Sequence, residues 1–124
     1  MFFSRTLPDG TPWNLATPSI YGLPNTTRNL RIPVPGGELG AWFMEPEEYE
    51  YGVEEDDKPV VLYLHGIAQT RGYQHRVGLY LQLLKMGHKV LAVDYRGFAD
   101  STELEDITET SVVEDAAAAL RYLR

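Results

Sequence analysis

Two uninterrupted apolar runs, Val60 to Leu64 and Val90 to Val93, constrain this chain more than any other feature. Neither alternates apolar with polar residues, so both suit strands buried on two faces in a parallel sheet. Between them Tyr73, Val77, Tyr80, Leu81 and Leu84 recur at helical spacing, and Gly87 supplies a C-terminal stop. Strand, helix and strand in this order form a βαβ unit, whose crossover is right-handed by the usual rule.

Upstream, Asn29 to Val34 alternates in the strand period, and Gly36-Gly37 allow a tight turn. A second strand then places Leu39, Ala41 and Phe43 on one face and Trp42 and Met44 on the other. Before this hairpin, residues 1–24 carry Pro8, Pro12, Pro18 and Pro24 with Gly10 and Gly22, show no sustained period, and are expected to form an extended arm. Downstream, Phe98 to Thr110 is polar and expected to be looped. Ser111 followed by Glu114 reads as a capping box, and Val113, Ala116, Ala117, Leu120 and Leu123 as the apolar face of a last helix.

The order strand, strand, strand, helix, strand, helix predicts an α/β fold in which a hairpin feeds parallel strands with flanking helices. At 124 residues there is room for one modest core, divided here into the arm 1–24 and a domain part 25–124. A helix with an apolar stripe and a fresh sheet edge both need covering, so the sheet is expected to be incomplete, part of a larger α/β domain.

Charge points to no nucleic acid. The formal net charge is −7, but residues 45–57 alone contribute eight acidic groups with no Lys or Arg. The acidity therefore belongs to one solvated connection between strands, and no basic stripe is present. The absence of cysteine rules out disulfides and thiolate metal sites. No apolar run approaches the ~18 residues of a membrane span, and MFFSRTLPDG is interrupted too soon to read as a signal peptide. Asn25-Thr26-Thr27 matches the glycosylation sequon, which matters where this segment faces a lumen or the outside.

Ligands of open α/β sheets sit beyond the carboxyl ends of the strands, which here means His65 to Gly72 and Asp94 to Ser101. Asp94 stands where a ribose-binding acid of a dinucleotide fold would, yet HGIAQTRG lacks both the G-x-G-x-x-G turn and the Lys-Ser/Thr of a P-loop. His65, His75 and His88 have no metal-ligand spacing, so no metal is expected. An oxyanion turn fits better: a strand ending in His65-Gly66 and bending toward a helix can present the next amide, that of Ile67, to a tetrahedral oxygen.

The two turns together, His65-Gly66 after one buried strand and Asp94-Tyr95-Arg96-Gly97 after the next, resemble the N-terminal half of the α/β-hydrolase fold. More closely, LYLHG, TRGYQHRV, GHKVLAVDYRGFADS and DAAAALRYL resemble the membrane-anchored monoacylglycerol and lysophosphatidylserine lipases of that superfamily. YGLPNTTRN and ELGAWFMEP extend the resemblance to roughly residues 21 to 124. Three departures stand out: Ile67 where a polar residue is usual, Ala99 where glycine is common, and no amino-terminal membrane helix.

The resemblance implies an incomplete α/β-hydrolase sheet from a serine hydrolase acting on a monoacylglycerol or lysophospholipid, with no cofactor. It also implies the luminal side of the endoplasmic reticulum membrane, with membrane contact through a region not present here. The superfamily's G-x-S-x-G elbow does not occur in these 124 residues, so no catalytic nucleophile, acid or base is assigned and the segment alone is expected to be inactive. Ser101, in ADSTE, has neither an elbow nor an identifiable base.

Arg96, with Arg71, is a candidate contact for a phosphate-bearing head group. The structural alternative has Asp94 and Arg96 bonded to backbone and to each other. His75 and Arg76 are expected to serve packing and helix-end contacts. A reading from another class is a short non-catalytic product that binds a partner through its open sheet edge.

Overall fold

A computed structural model describes residues 14–47, 59–66 and 70–124. The strands are β1 (Arg28–Val34), β2 (Gly37–Met44), β3 (Val61–Leu64) and β4 (Val90–Val93), and the helices are α1 (Gln74–Lys85) and α2 (Glu109–Tyr122). They form one four-stranded sheet in the order β1-β2-β4-β3. β1 pairs antiparallel with β2, β2 antiparallel with β4, and β3 parallel with β4. The hairpin thus feeds the βαβ unit as the apolar runs predict.

Alternation along the inner strands sorts side chains onto two cores. Trp42, Met44, Val90 and Ala92 face α1, where Val77, Tyr80 and Leu84 meet them. Leu39, Ala41, Leu91 and Val93 face the other way and meet Ile32, Ala118 and Ala119. Trp42 is completely buried, worth roughly 1.5–3 kcal/mol or more for a side chain of its size. Its indole N–H donates to the Leu15 carbonyl at 2.8 Å, and Tyr21 lies against its ring at 5.3 Å. Within the expected arm, residues 14–24 therefore lie on this core. They include a short 3-10 turn, Pro18–Tyr21, with Leu15 and Leu23 buried beside it.

Four local expectations are corrected. Val34 pairs with Gly37, so the hairpin turn is Pro35-Gly36 and not Gly36-Gly37. Proline presets the first of the two turn positions, and Gly36, at φ 76°, supplies the left-handed second one. β3, expected to be buried on both faces, is the outer strand among the described residues, and Leu64 is 39% exposed. β4 between two strands is buried throughout.

The last helix begins one turn before the expected Ser111 cap. Thr108 is the N-cap: its hydroxyl accepts from the Ser111 amide at 3.0 Å, while the Ser111 hydroxyl accepts from the Thr108 amide at 2.9 Å. Serine at this position does what Glu or Gln does in the usual box, because its short side chain still reaches back to the cap amide. The inward face differs as well. Ser111, Asp115, Ala118 and Ala119 are buried, while Val113 and Leu120 point outward at 59% and 47% exposure.

α1 ends as its sequence predicts. Gly87, at φ 88°, lets its own amide reach the Leu84 carbonyl and the His88 amide reach that of Leu83, which is a Schellman closure. At the other end Arg76 donates to the Thr70 carbonyl at 2.8 Å and stacks over Tyr73, against which His75 also packs.

Thr108→Ala is expected to cost about 1 kcal/mol of unfolding free energy through loss of the cap. Glu114→Ala should remove only its 48%-exposed contact with Arg96, within about 0.5 kcal/mol of wild type. Equilibrium denaturation of the two variants distinguishes the observed cap from the one the sequence suggests.

Candidate active site

Leu64 pairs with Val93, so the carboxyl ends of β3 and β4 lie side by side and His65 and Asp94 emerge as neighbours. Both are buried. Asp94 is fully enclosed, and an unpaired carboxylate there would cost several kcal/mol, so its partners decide the local structure. The Arg71 backbone amide donates to both carboxylate oxygens at 3.0 and 3.1 Å, and Arg71 Nη1 donates to Oδ2 at 2.7 Å. His65 Nε2 stands 3.2 Å from Oδ1.

Arg71 also reaches Asp100, with Nη1 at 2.7 Å from Oδ1 and Nη2 at 3.0 Å from Oδ2, and Nη2 lies 3.5 Å from Asn29 Oδ1. Its guanidinium also lies over the Trp42 ring at 4.9 Å. Burial works against the charges of this group of residues. For Asp94, burial is outweighed by the His65 hydrogen bond and the Arg71 charge, and its pKa falls below the ordinary carboxyl value. For Arg71, burial is outweighed by Asp100 and Asp94, and its pKa rises.

Asp94 is held from behind as well. Its amide donates to the Gly40 carbonyl at 3.0 Å, and its carbonyl accepts from Ser101 Oγ at 2.6 Å. The Gly40 amide donates to the same Ser101 hydroxyl at 2.8 Å. Ser101 is therefore a buried strut between β2 and the loop after β4, with its hydroxyl already committed. Gly40 has to be glycine for a related reason: a Cβ there would overlap the Asp100 carboxylate and crowd Arg71 Nη1 at 2.9 Å.

A second buried pair closes the loop after β4. The Arg96 amide donates to Asp115 Oδ2 at 2.8 Å and its Nε to Oδ1 at 2.7 Å, while Nη1 reaches the Pro35 carbonyl at 3.1 Å. Asp94 and Arg96 thus do bond to backbone, but not to each other: Asp94 takes Arg71, and Arg96 takes Asp115. Both cations considered for a head group are buried in these pairs, Arg71 at 0% and Arg96 at 8% exposure. Ala99 adopts φ 48°, the left-handed conformation that glycine would take at lower cost.

The His65 ring packs against Tyr95 at 4.4 Å and Phe98 at 4.8 Å, and its Nδ1–H donates to the Gly66 carbonyl. These residues and the first turn of α2 line a mostly apolar cleft of about 360 Å³ at the strand ends. A larger hollow, about 640 Å³, lies between Gly22–Asn25 and the C-terminal half of α1. The smaller cleft is the better candidate, because it adjoins the carboxyl ends of the strands and the His65-Gly66 turn. Ile67 lies outside the described residues, and so does most of the acidic segment 45–57. Asn25 is exposed in the turn closed by the Thr27 amide and the Pro24 carbonyl. His88 reaches only the Pro59 carbonyl, at 3.4 Å.

Comparison with known proteins decides the family. The family model for the alpha/beta hydrolase fold matches residues 59–124, which hold β3, α1, β4 and α2. The chain belongs to the α/β-hydrolase family. Among curated α/β-hydrolase relatives, "Lysophosphatidylserine lipase ABHD12" of Danio rerio is 37% identical over 100 residues, covering 71% of this chain and 26% of the relative. "Protein ABHD12B" of Homo sapiens is 33% identical over 114 residues, covering 82% and 31% respectively. The chain therefore spans about a quarter to a third of the length of these two relatives. An esterase of Pyrococcus furiosus superimposes with a TM-score of 0.70 at 21% identity, over 99% of this chain and 41% of the esterase. The fold is thus an incomplete α/β-hydrolase sheet.

Sequence reasoning located the His65 and Asp94 turns of this α/β-hydrolase segment but missed Gly40, Asp100 and Asp115. Asp115 left a trace, as a charge amid the alanines of α2. Gly40 left a fainter one, as a glycine inside a strand pattern.

Two outcomes follow for stability. Gly40→Ala is expected to cost about 2–3 kcal/mol by forcing Asp100 off Arg71. The stabilisation from Asp94, whose folded pKa is depressed, is fully present above the unfolded carboxyl pKa of about 3.9 and is lost as pH falls through the folded value. Denaturation followed from neutral pH downward should therefore show a shallower acid decline in Asp94→Asn than in wild type.

Proposed function

We propose that these residues form the N-terminal part of a serine hydrolase that cleaves the acyl ester of a lysophospholipid or monoacylglycerol. The observation that carries this reading is the buried His65 and the exposed Gly66 at the end of β3, lining an apolar cleft in a segment similar to lysophosphatidylserine lipases. An apolar wall suits an acyl chain, and a glycine turn at a strand end suits the oxygen that becomes negative when the ester is attacked.

In this reading the Ile67 N–H is one arm of the oxyanion hole, and His65 and Gly66 shape the turn that presents it. The attacking serine, its base and its acid come from outside these 124 residues, where no G-x-S-x-G occurs. Ser101 does not replace that serine, since its hydroxyl is buried and bonded to Asp94 and Gly40. His65 belongs to the oxyanion turn and not to a triad. A donor without nucleophile and base has little to stabilise, so the segment alone is proposed to be inactive. The chemistry needs no cofactor. An exposed Asn25 is compatible with a luminal location, where it would carry a glycan.

A second reading has a specific observation behind it. Among the described residues β3 has no partner on its outer side, and Val60 and Leu64 are exposed there. A product that ended near this segment could bind a partner strand along that edge.

The intact mass of the native protein, captured with an antibody to residues 45–57, separates the two readings. The hydrolase reading expects a species well above the mass of these residues, one that reacts with a fluorophosphonate. A native species of these residues alone, unreactive to the probe, favours the binding product. In the reactive protein, Ile67→Pro removes one oxyanion donor and is expected to lower kcat by about 10²–10³.

A further inference from the structure

We propose that the outer face of α2 pairs antiparallel with the same face of a second copy of this chain, making a two-fold dimer. With Ser111, Asp115, Ala118 and Ala119 turned inward, the opposite side of the helix carries Glu109, Val113, Ala116, Ala117 and Leu120 at spacings of three and four residues. Arg124, one position past the C-cap Leu123, continues the same line. Val113 is 59% and Leu120 47% exposed, and Glu109 and Arg124 are exposed at the two ends.

The order along this line is acid, apolar, small, apolar, base. Glu109 and Val113 lie as far before the point between Ala116 and Ala117 as Arg124 and Leu120 lie after it. Turned end for end, a second copy therefore sets its Leu120 opposite Val113 and its Arg124 opposite Glu109, and two-fold symmetry repeats both pairs. A parallel pairing would set acid on acid and base on base. Alanines at the crossing let the two helices approach to the short end of the usual ~8–10 Å separation. Antiparallel helices also bring opposite ends of their dipoles together.

Charge favours a second copy over other occupants. Glu114 meets Arg96 within the chain, whereas Glu109 and Arg124 make no ion pair among the described residues. An anionic membrane surface would be repelled by Glu109 and by the exposed Glu103, Glu105 and Asp106 in the loop before it. A partner of uniform charge would satisfy one end of the line and be repelled by the other. Another copy of α2 satisfies both. The contact is one helix wide, below the roughly 1,000 Å² of a stable interface, so the dimer belongs to the weak, micromolar class. It begins at the wall of the cleft, which Glu109 also lines. Nothing in this pairing depends on the hydrolase reading.

The test is sedimentation equilibrium of the full protein as its source expresses it, over about 1–200 µM. Wild type is expected to pass from monomer to dimer in this range. Glu109→Arg and Arg124→Glu are each expected to raise the dissociation constant at least about tenfold, because each turns two attractions into two repulsions. An equimolar mixture of the two variants restores opposite charges at both ends of a mixed pair, and is expected to dimerise within about threefold of wild type.

A wild type that stays monomeric overturns the proposal, whether another part of the chain covers the face or solvent does. So does a dimer that the single reversals leave intact, or one that mixing does not restore. Should either reversal fail to fold, Leu120→Lys decides, at a position already 47% exposed. Loss of the dimer at an unchanged melting temperature is expected there, and a dimer that persists overturns the pairing.

Discussion

The buried pair of Arg71 and Asp94 is the constraint on which the rest of the structure depends. A carboxylate at the end of a strand buried on both faces has no access to water. Removing one partner of such a pair typically costs about 3–5 kcal/mol, so the segment carrying Arg71 is committed to return beneath the sheet's carboxyl edge. That return sets where α1 begins, because Gly72 follows Arg71 into the core, where an added Cβ would press on Leu15 and Trp42. The second carboxylate, Asp100, completes the neutralisation and is in turn held by Arg31, whose Nη2 donates to its carbonyl at 2.6 Å. A line of alternating charge therefore runs from the half-exposed edge of β1 to the turn after β3.

Arg96 and Asp115 do on the other face what Arg71 and Asp94 do on the first. Arg96 gathers the loop after β4, the β1–β2 turn and the inward face of α2 through Asp115 and the Pro35 carbonyl. Arg71 and Arg96 both act as internal fasteners, one for each side of the sheet. What they leave open is an apolar cleft lined by His65, Gly66, Tyr95 and Phe98.

The fold class was legible because it depends on period. Two unalternating runs separated by a helical repeat leave few topologies, and the glycine after α1 closes that helix by local geometry alone. The errors came where local pattern and tertiary demand diverge. Val113, Ala116, Ala117, Leu120 and Leu123 form a convincing apolar stripe, and Leu123 does pack on the core, yet α2 turns Ser111, Asp115, Ala118 and Ala119 inward because Asp115 must reach Arg96 and because small Ala118 and Ala119 permit close approach to the sheet. Ser111 and Glu114 mimic a capping box one turn late, since Thr108 and Ser111 satisfy the same two amides earlier. β3 reads as a central strand, and its sequence suits one, but among the described residues it has only one neighbour.

The sequence by itself determined the strand and helix order, the hairpin, the position of the two turns at the carboxyl ends and, through the motifs at those turns, the family. These follow from side-chain periodicity, backbone preference and short runs of fixed residues, all of which are local. Only the tertiary structure decided which carboxylate meets which arginine, which face of α2 is inside, and why Gly40 and Ser101 matter. Those depend on pairs 19 to 61 residues apart, whose charges and hydrogen bonds must be satisfied together once water is excluded.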